Sequence, residues 1–252
     1  EIKKLSYKEL KKKWLIKMNY IVGDIGNTAT KICLLNHKFI IIKSIIFDTN
    51  KIFNKGYFKN IIKKFLNENS SLKLLFSSVV PIAYKEIKKN LKGSKYKAIE
   101  IKSLKIKKII RINVKKINQL GSDRIVNAIA GKKYKNCLIL DFGTATTFDI
   151  IKNGVYEGGV IAPGVKLSMM NLSNSTALLP MFTLKKNQNN YGKNTKDALN
   201  AGFIWGYEGL INNIMYKITN KWKIKYKIIL TGGYAHFFKK IIKKKTIIDQ
   251  NI

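Results

Sequence analysis

With 252 residues, 46% of them hydrophobic, the chain can build two modest α/β domains with cores of their own, and no stretch has the roughly 18 uninterrupted apolar residues of a membrane-spanning helix. Its formal net charge of +35 comes from 49 basic and 14 acidic residues, yet Arg111 and Arg124 are the sole arginines. Surfaces that read bases or grip phosphates bidentately lean on arginine. Lysine dispersed among abundant isoleucine and asparagine, all three with A/T-rich codons, is read instead as base bias with solvated lysine faces. No specific nucleic-acid partner and no membrane are therefore expected, although the field would still draw in polyanions at low salt. Cys33 and Cys137 sit in separate strand-like runs and read as buried thiols of a reducing, cytoplasmic protein. Two isolated cysteines and two isolated histidines offer no zinc-binding set.

Residues 1–18 are Lys-rich without an apolar h-region, so they read as a helical extension rather than a secretory signal, with Met18 as a natural start. Residues 19–47 predict a three-strand meander (Asn19–Asp24, Ala29–Leu35, Lys38–Phe47), with Asn36-His37 as its second turn. A helix is expected over 54–67, with Ile61, Ile62, Phe65 and Leu66 on one face. Leu72–Phe76 reads as a buried strand, and Ser77-Ser78-Val79-Val80-Pro81 leads into a helix near 82–92. The Lys/Ile alternation over 93–118 suggests strand. Gly121-Ser122-Asp123-Arg124 opens a helix carrying Ile125, Val126 and Ile129. Strands follow at Asn136–Asp141 and Thr146–Lys152, and Asn153-Gly154 is a two-residue hairpin signal. Asp149, facing that hairpin, reads as a solvated or capping carboxylate. Gly158–Gly164 reads as a glycine-rich loop before a helix with Leu167, Met169, Met170 and Leu172. A long connection covers 180–195, a helix 196–219 and a strand Lys225–Leu230; Thr231-Gly232-Gly233 and a final helix close the chain.

Two segments use one device. Tyr20-Ile21-Val22 runs into Asp24-Ile25-Gly26-Asn27-Thr28, and Cys137–Leu140 runs into Asp141-Phe142-Gly143-Thr144-Ala145-Thr146-Thr147. Each places a carboxylate at a strand end, then a glycine, then small hydroxyl residues. Backbone N–H groups and hydroxyls of such turns cradle phosphate oxygens, and a carboxylate beside them can hold a cation. One copy is an ordinary strand turn. Two copies, with Thr231-Gly232-Gly233 as a third loop, point to a duplicated domain with a nucleotide cleft faced by Asp24 and Asp141. Gly121–Arg124 adds an acid and a base at a helix start, where the dipole favours an anion. A capping role alone would also suit Ser122 or Asp123. Arginine at position 124 of a lysine-dominated chain suggests a carboxylate or phosphate partner.

Taken with Ser77–Pro81, Gly158–Gly164 and Ser175-Thr176-Ala177-Leu178-Leu179-Pro180, these motifs resemble the type III pantothenate kinases of the acetate/sugar kinase–Hsp70–actin superfamily, over nearly all of residues 19–240. The resemblance implies an α/β fold of two ribonuclease-H-like domains, here 19–118 and 119–252, and transfer of the ATP γ-phosphoryl group to pantothenate, the first step toward coenzyme A. It implies that Asp24, Ile25, Gly26, Asn27, Thr28, Ala29, Thr30 and Lys31 form the first phosphate loop, with Asp24 placing Mg²⁺. Asp123 becomes the proton acceptor, and Gly121, Ser122, Asp123 and Arg124 line the substrate pocket. Asp141 binds a monovalent cation, K⁺ or NH₄⁺; Thr144 contacts ATP and Thr176 pantothenate. A homodimer held by the second domain is implied. The chain departs from the family's pattern at Val114, commonly tyrosine, and at Ser122, usually alanine. The competing readings are a non-catalytic ATP-binding relative acting as an accessory factor and a basic nucleic-acid-binding protein.

Overall fold

The computed structural model describes residues 19–65, 73–185, 190–220 and 224–251. The expected N-terminal helical extension, Leu66 and Leu72 lie outside the described residues. Two compact units emerge. Unit 1 runs to Ile106 and includes Gly121–Ile125; unit 2 comprises Lys107–Leu120 and the chain from Val126 onward. Where one boundary near residue 118 is expected, the chain thus changes unit after 106, 120 and 125.

Unit 1 is a five-stranded sheet of β1 (Tyr20–Ile25), β2 (Ala29–Leu35), β3 (Ile41–Asp48), β4 (Lys73–Ser78) and β5 (Lys97–Glu100), in the order β3-β2-β1-β4-β5. Period-two alternation turns Ile21 and Ile25 of β1 into a core with Ile32, Phe58, Leu74 and Phe76. Each such side chain contributes about 1.5–3 kcal/mol on full burial. Gly23 is required there: a Cβ would lie 2.5 Å from the Phe76 ring. The β2–β3 turn is wider than the expected Asn36-His37 pair. It spans Asn36 to Ile40, because the Asn36 side chain accepts from Lys38 N and Ile40 N (2.9 and 3.0 Å) and Phe39 takes φ 59°. Helix α1 (Tyr57–Lys63) follows a 3₁₀ turn at Thr49–Phe53, and α2 (Pro81–Asn90) starts with proline in its first turn, where the missing N–H costs nothing.

The tract expected to be strand over 93–118 is broken up. It contains β5, a 3₁₀ turn at Ile101–Ser103, α3 (Ile106–Ile109), the two-residue β6 (Arg111–Ile112) and a 3₁₀ turn at Ile117–Gln119. Lysine and isoleucine alternate there with no partner strand to pair the whole length, so short elements tuck Ile101, Ile106 and Ile110 inward one at a time.

After Lys107–Leu120, unit 2 resumes within α4 (Ser122–Gly131), whose first four residues belong to unit 1. Its sheet contains β7 (Cys137–Phe142), β8 (Ala145–Lys152), β9 (Val155–Pro163), β10 (Lys227–Gly232) and β11 (Thr246–Ile248), ordered β11-β10-β7-β8-β9-β6. Without β6, this order repeats β5-β4-β1-β2-β3 strand for strand, and the parallel and antiparallel pairings repeat too. The stretch expected as a loop at Gly158–Gly164 is instead mostly strand. β9 pairs with β8 from Val155↔Lys152 to Pro163↔Ala145, and Gly158 absorbs a register shift with φ 103°. Helices α5 (Val165–Asn174), α6 (Thr195–Asn220) and the short α7 (Ala235–Phe238) cover one face around Phe142, Phe148, Ile211 and Phe238. On the other face Gly131 of α4 admits Cys137, Ile139 and Ile151; a Cβ would stand 2.9 Å from Cys137 Sγ. The expected closing helix is one turn long, and the chain goes on to add β11 at the sheet edge.

Candidate active site

In unit 1, β1 and β2 are joined by a tight turn in which Gly26 N–H donates to Ala29 O at 3.0 Å. Asn27, Thr28 and Ala29 are exposed at its tip, while Ile25 and Thr30 are buried beneath it. The turn is braced from below: the Thr49 hydroxyl donates to Gly26 O at 2.7 Å and meets the Thr30 hydroxyl at 3.0 Å, and Thr49 N–H donates to Thr28 O. Thr30 therefore spends its hydroxyl inside the protein and leaves the tip to Gly26–Ala29. Asp24, at the end of β1, is paired in register with Ser77 on β4 and Lys31 on β2.

Solvent reaches the Asp24 side chain, but surrounding atoms crowd it, and this desolvation pushes its carboxyl above the ordinary 3.8. The Ser77 hydroxyl pulls the other way, Asp123 adds to the rise by like-charge repulsion, and Lys31 opposes it. Asp123 and Asp24 are thus electrostatic neighbours within one unit. Carboxylates that feel one another in this way can serve a divalent cation that takes one or two carboxylates and completes its shell with phosphate and water. Among the described residues no group of three or more Asp, Glu, His or Cys is placed to hold a metal ion. The shift also predicts a stability effect. A raised folded-state value means that ionised Asp24 opposes folding, a penalty present at neutral pH and gone once the pH falls below both values. Asp24→Asn should melt no lower than the parent at pH 7, with the difference vanishing below about pH 4; thermal melts across pH 3–8 check this, and a variant much less stable at pH 7 would contradict it.

Asp123 lies in the first turn of α4, with Gly121 just before the helix. Its Oδ1 accepts from Arg124 N–H at 2.8 Å, and that oxygen occupies the space a Cβ at position 121 would need. Glycine there lets the carboxylate fold back over the helix start. Ser122 is buried, and its hydroxyl bonds not to the helix but to the carboxylate of Glu100. Glu100 was not picked out by sequence reading; the available signal was a lone acid in a lysine-rich tract. Arg124 is partly buried.

In unit 2 the second device has the same build. Gly143 N–H donates to Ala145 O at 3.1 Å, Gly143 and Thr144 are exposed, and Asp141 is half-buried at the end of β7. Gly232, at the end of β10 with φ 83°, leaves 2.6 Å between its would-be Cβ and Asp141 Oδ1. Gly164, capping α5, sits against the Thr144 carbonyl, which a Cβ would meet at 1.9 Å. Thr176 is exposed just past α5, with its hydroxyl donating to Leu172 O at 2.8 Å in a helix-terminating bond. Val114 packs near Gly158 of β9.

Asp149 corrects the expectation of a solvated carboxylate. It is fully buried, accepting from Tyr156 Oη at 2.8 Å and Asn127 Nδ2 at 3.2 Å, and so ties α4 to the β8–β9 pair. β8 is covered on both faces, Phe148 toward one core and Asp149 toward α4, and buried polar partners keep Asp149 satisfied there. Cys137 lies close by, donating toward Gly131 O; burial, then Asp149, pushes its thiol up to about 12, so it stays an unreactive SH.

The sequence of the type III pantothenate kinase family matches residues 20–217, a span that contains the Asp24 turn, the Gly121–Arg124 helix start, the Asp141 turn and Thr176. The chain belongs to the type III pantothenate kinase family. A type III pantothenate kinase of Pelagibacter ubique is 48% identical over 234 residues, covering 92% of this chain and 94% of that relative. One from Sulfurihydrogenibium is 34% identical, covering 90% and 93%. Among solved structures, a putative Baf family transcriptional activator from Campylobacter jejuni superposes with a TM-score of 0.59 at 23% identity, each chain 91% covered. A putative 2-dehydro-3-deoxygalactonokinase from Sinorhizobium meliloti gives 0.57 at 10% identity, again with 91% coverage of each. At those identities the two structures speak for fold: a mixed α/β architecture with two sheets of the actin/sugar-kinase/Hsp70 type.

Proposed function

We infer that this family member phosphorylates pantothenate with ATP, giving 4'-phosphopantothenate and ADP in coenzyme A biosynthesis. The observation that carries the reading is the family match over 20–217, which takes in the Asp24 loop, the Gly121–Arg124 helix start and the Asp141 loop together.

Phosphoryl transfer passes through a loose transition state, so positioning and neutralisation of charge do most of the work. In this reading the Asp24–Lys31 loop receives the phosphates at its tip, Gly26 to Ala29, with Ile25 and Thr30 buried beneath it, and Thr144 contacts ATP from the β7–β8 turn. Asp24 would hold Mg²⁺ and Asp141 would hold K⁺ or NH₄⁺, supplying positive charge against the phosphates. Asp123 orients the primary hydroxyl of pantothenate and takes its proton late, as the bond to phosphorus forms; an ordinary carboxylate is too weak a base to do so earlier. Gly121 and Arg124 line the pocket, the guanidinium suiting a carboxylate, with Ser122 buried behind them and its hydroxyl on Glu100, and Thr176 adds a substrate contact. Two further features complete the reading. The protein works in the cytoplasm, and it is a homodimer: Ile161, Leu167, Met170, Leu178, Met181 and Trp205 leave unit 2 with exposed apolar area. Among the described residues no helix is long and apolar enough to cross a membrane. The lysine surface serves no specific nucleic acid.

A coupled ADP-release assay with and without pantothenate tests the activity. ADP release should require pantothenate and should rise when K⁺ or NH₄⁺ replaces Na⁺ at constant ionic strength. Asp141→Ala should erase that cation response. Pantothenate-independent turnover would overturn the substrate, and equal rates in Na⁺ and K⁺ would remove the selective cation site.

A further inference from the structure

Glu100 closes β5, and both of its carboxylate oxygens are in use. Oε2 accepts from Lys102 N–H at 2.7 Å, capping the 3₁₀ turn at Ile101–Ser103. Oε1 accepts from the Ser122 hydroxyl at 2.5 Å, a charge-assisted bond to a side chain only 1% exposed. That second bond fastens the first residue of α4 to the unit 1 sheet. The sheet is continuous at this level: Glu100 on β5 is in register with Phe76 on β4, and Phe76 with Gly23 on β1. One residue further along, Ser77 is in register with Asp24. Hydrogen-bonded strands therefore link the residue that grips Ser122 with the residue that carries the Asp24 carboxylate.

Asp123 follows Ser122 directly. Its side-chain direction is set locally, by the bond from Arg124 N–H. What that bond leaves open is the position of the 121–124 backbone, and the Ser122–Glu100 contact supplies it. We propose that Glu100 is a positioning residue that acts through Ser122 to hold Asp123 in place relative to the Asp24 loop. The role rests on the pantothenate kinase reading. It also gives a purpose to the buried Ser122 hydroxyl, which reaches Glu100 and no group of its own helix.

The test compares the parent with Ser122→Ala, Glu100→Ala, Glu100→Gln and the double alanine variant. The readouts are kcat and KM for each substrate, melting temperature, and amide hydrogen exchange over residues 121–125. Ser122→Ala leaves the Lys102 cap intact and isolates the link. It should lower kcat/KM for pantothenate by about ten-fold, as expected for one bond to a charged group, with KM for ATP unchanged and faster exchange at the helix start. Glu100→Ala should show the same loss, and the double variant should be no worse, because both remove one interaction. Glu100→Gln should recover most activity: its amide can donate to Ser122 Oγ while its carbonyl accepts from Lys102 N–H. Ser122→Ala at the parent's rate and exchange, or additive losses in the double variant, overturns the proposal and leaves Glu100 as a turn cap. If Glu100→Ala does not fold, Ser122→Ala and Glu100→Gln still decide. A parent with no pantothenate-dependent ADP release sinks the functional reading and the positioning role together, whereas an active parent with an indifferent Ser122→Ala sinks only the latter.

Discussion

Asp123→Asn should lower kcat for pantothenate phosphorylation by about 10²–10⁴-fold, the usual cost of losing a general base, while ATP binding stays close to the parent's. The substitution preserves shape. An asparagine Oδ1 can still accept from Arg124 N–H, so the first turn of α4 keeps its bond. The Ser122–Glu100 link is untouched. What disappears is the acceptor for the hydroxyl proton and one negative charge. Loss of that charge also removes a repulsion that raises the Asp24 carboxyl, so Asp24 becomes easier to ionise and metal–nucleotide binding should not suffer. Steady-state ADP release gives kcat, and calorimetric titration with Mg-ATP gives the binding arm. A variant that turns over pantothenate at near the parent's rate would remove Asp123 from the mechanism. Equal losses of turnover and ATP affinity would instead mark it as part of the nucleotide site.

Gly164→Ala should be the most damaging single-methyl change near the second loop. The added Cβ would come within 1.9 Å of the Thr144 carbonyl oxygen and 2.5 Å of its carbon, and 2.9 Å from Gly143 O. These are backbone atoms, so no rotamer change can relieve the clash. Either the Gly143–Thr144 turn or the start of α5 has to move. Overpacking of this kind costs roughly 1–3 kcal/mol, and displacement of a positioning loop by about 1 Å can cost about 10²-fold in rate. The expected result is a lower melting temperature together with a raised KM for ATP. A melting temperature and KM equal to the parent's would show that the turn yields freely and that its position does not matter. Gly202→Ala is the control: it lies within α6, where an added methyl meets nothing within 4 Å.

Features that follow from a few adjacent residues were legible in the sequence. The two strand–Asp–x–Gly turns form as read, because a glycine followed by short polar residues closes each hairpin. Asn153 and Gly154 take φ of 51° and 72°, the paired left-handed angles of the tight hairpin that this dipeptide predicts. Pro81 starts α2, and Gly121–Arg124 opens α4, through equally local chemistry.

Tertiary structure decided the rest. Gly158–Pro163 is strand because β8 lies alongside to satisfy its backbone groups, although its glycines and proline favour a loop when read alone. Asp149 is buried because β8 is covered on both faces, with its partners Tyr156 and Asn127 seven and 22 residues away. Glu100 reaches Ser122 across a separation of 22 residues. The physical reason is common to all three. A residue's own propensity is worth about 1 kcal/mol or less, whereas an unpaired buried backbone group or carboxylate costs more than that, so the partners that folding brings from elsewhere in the chain outweigh what the local sequence prefers.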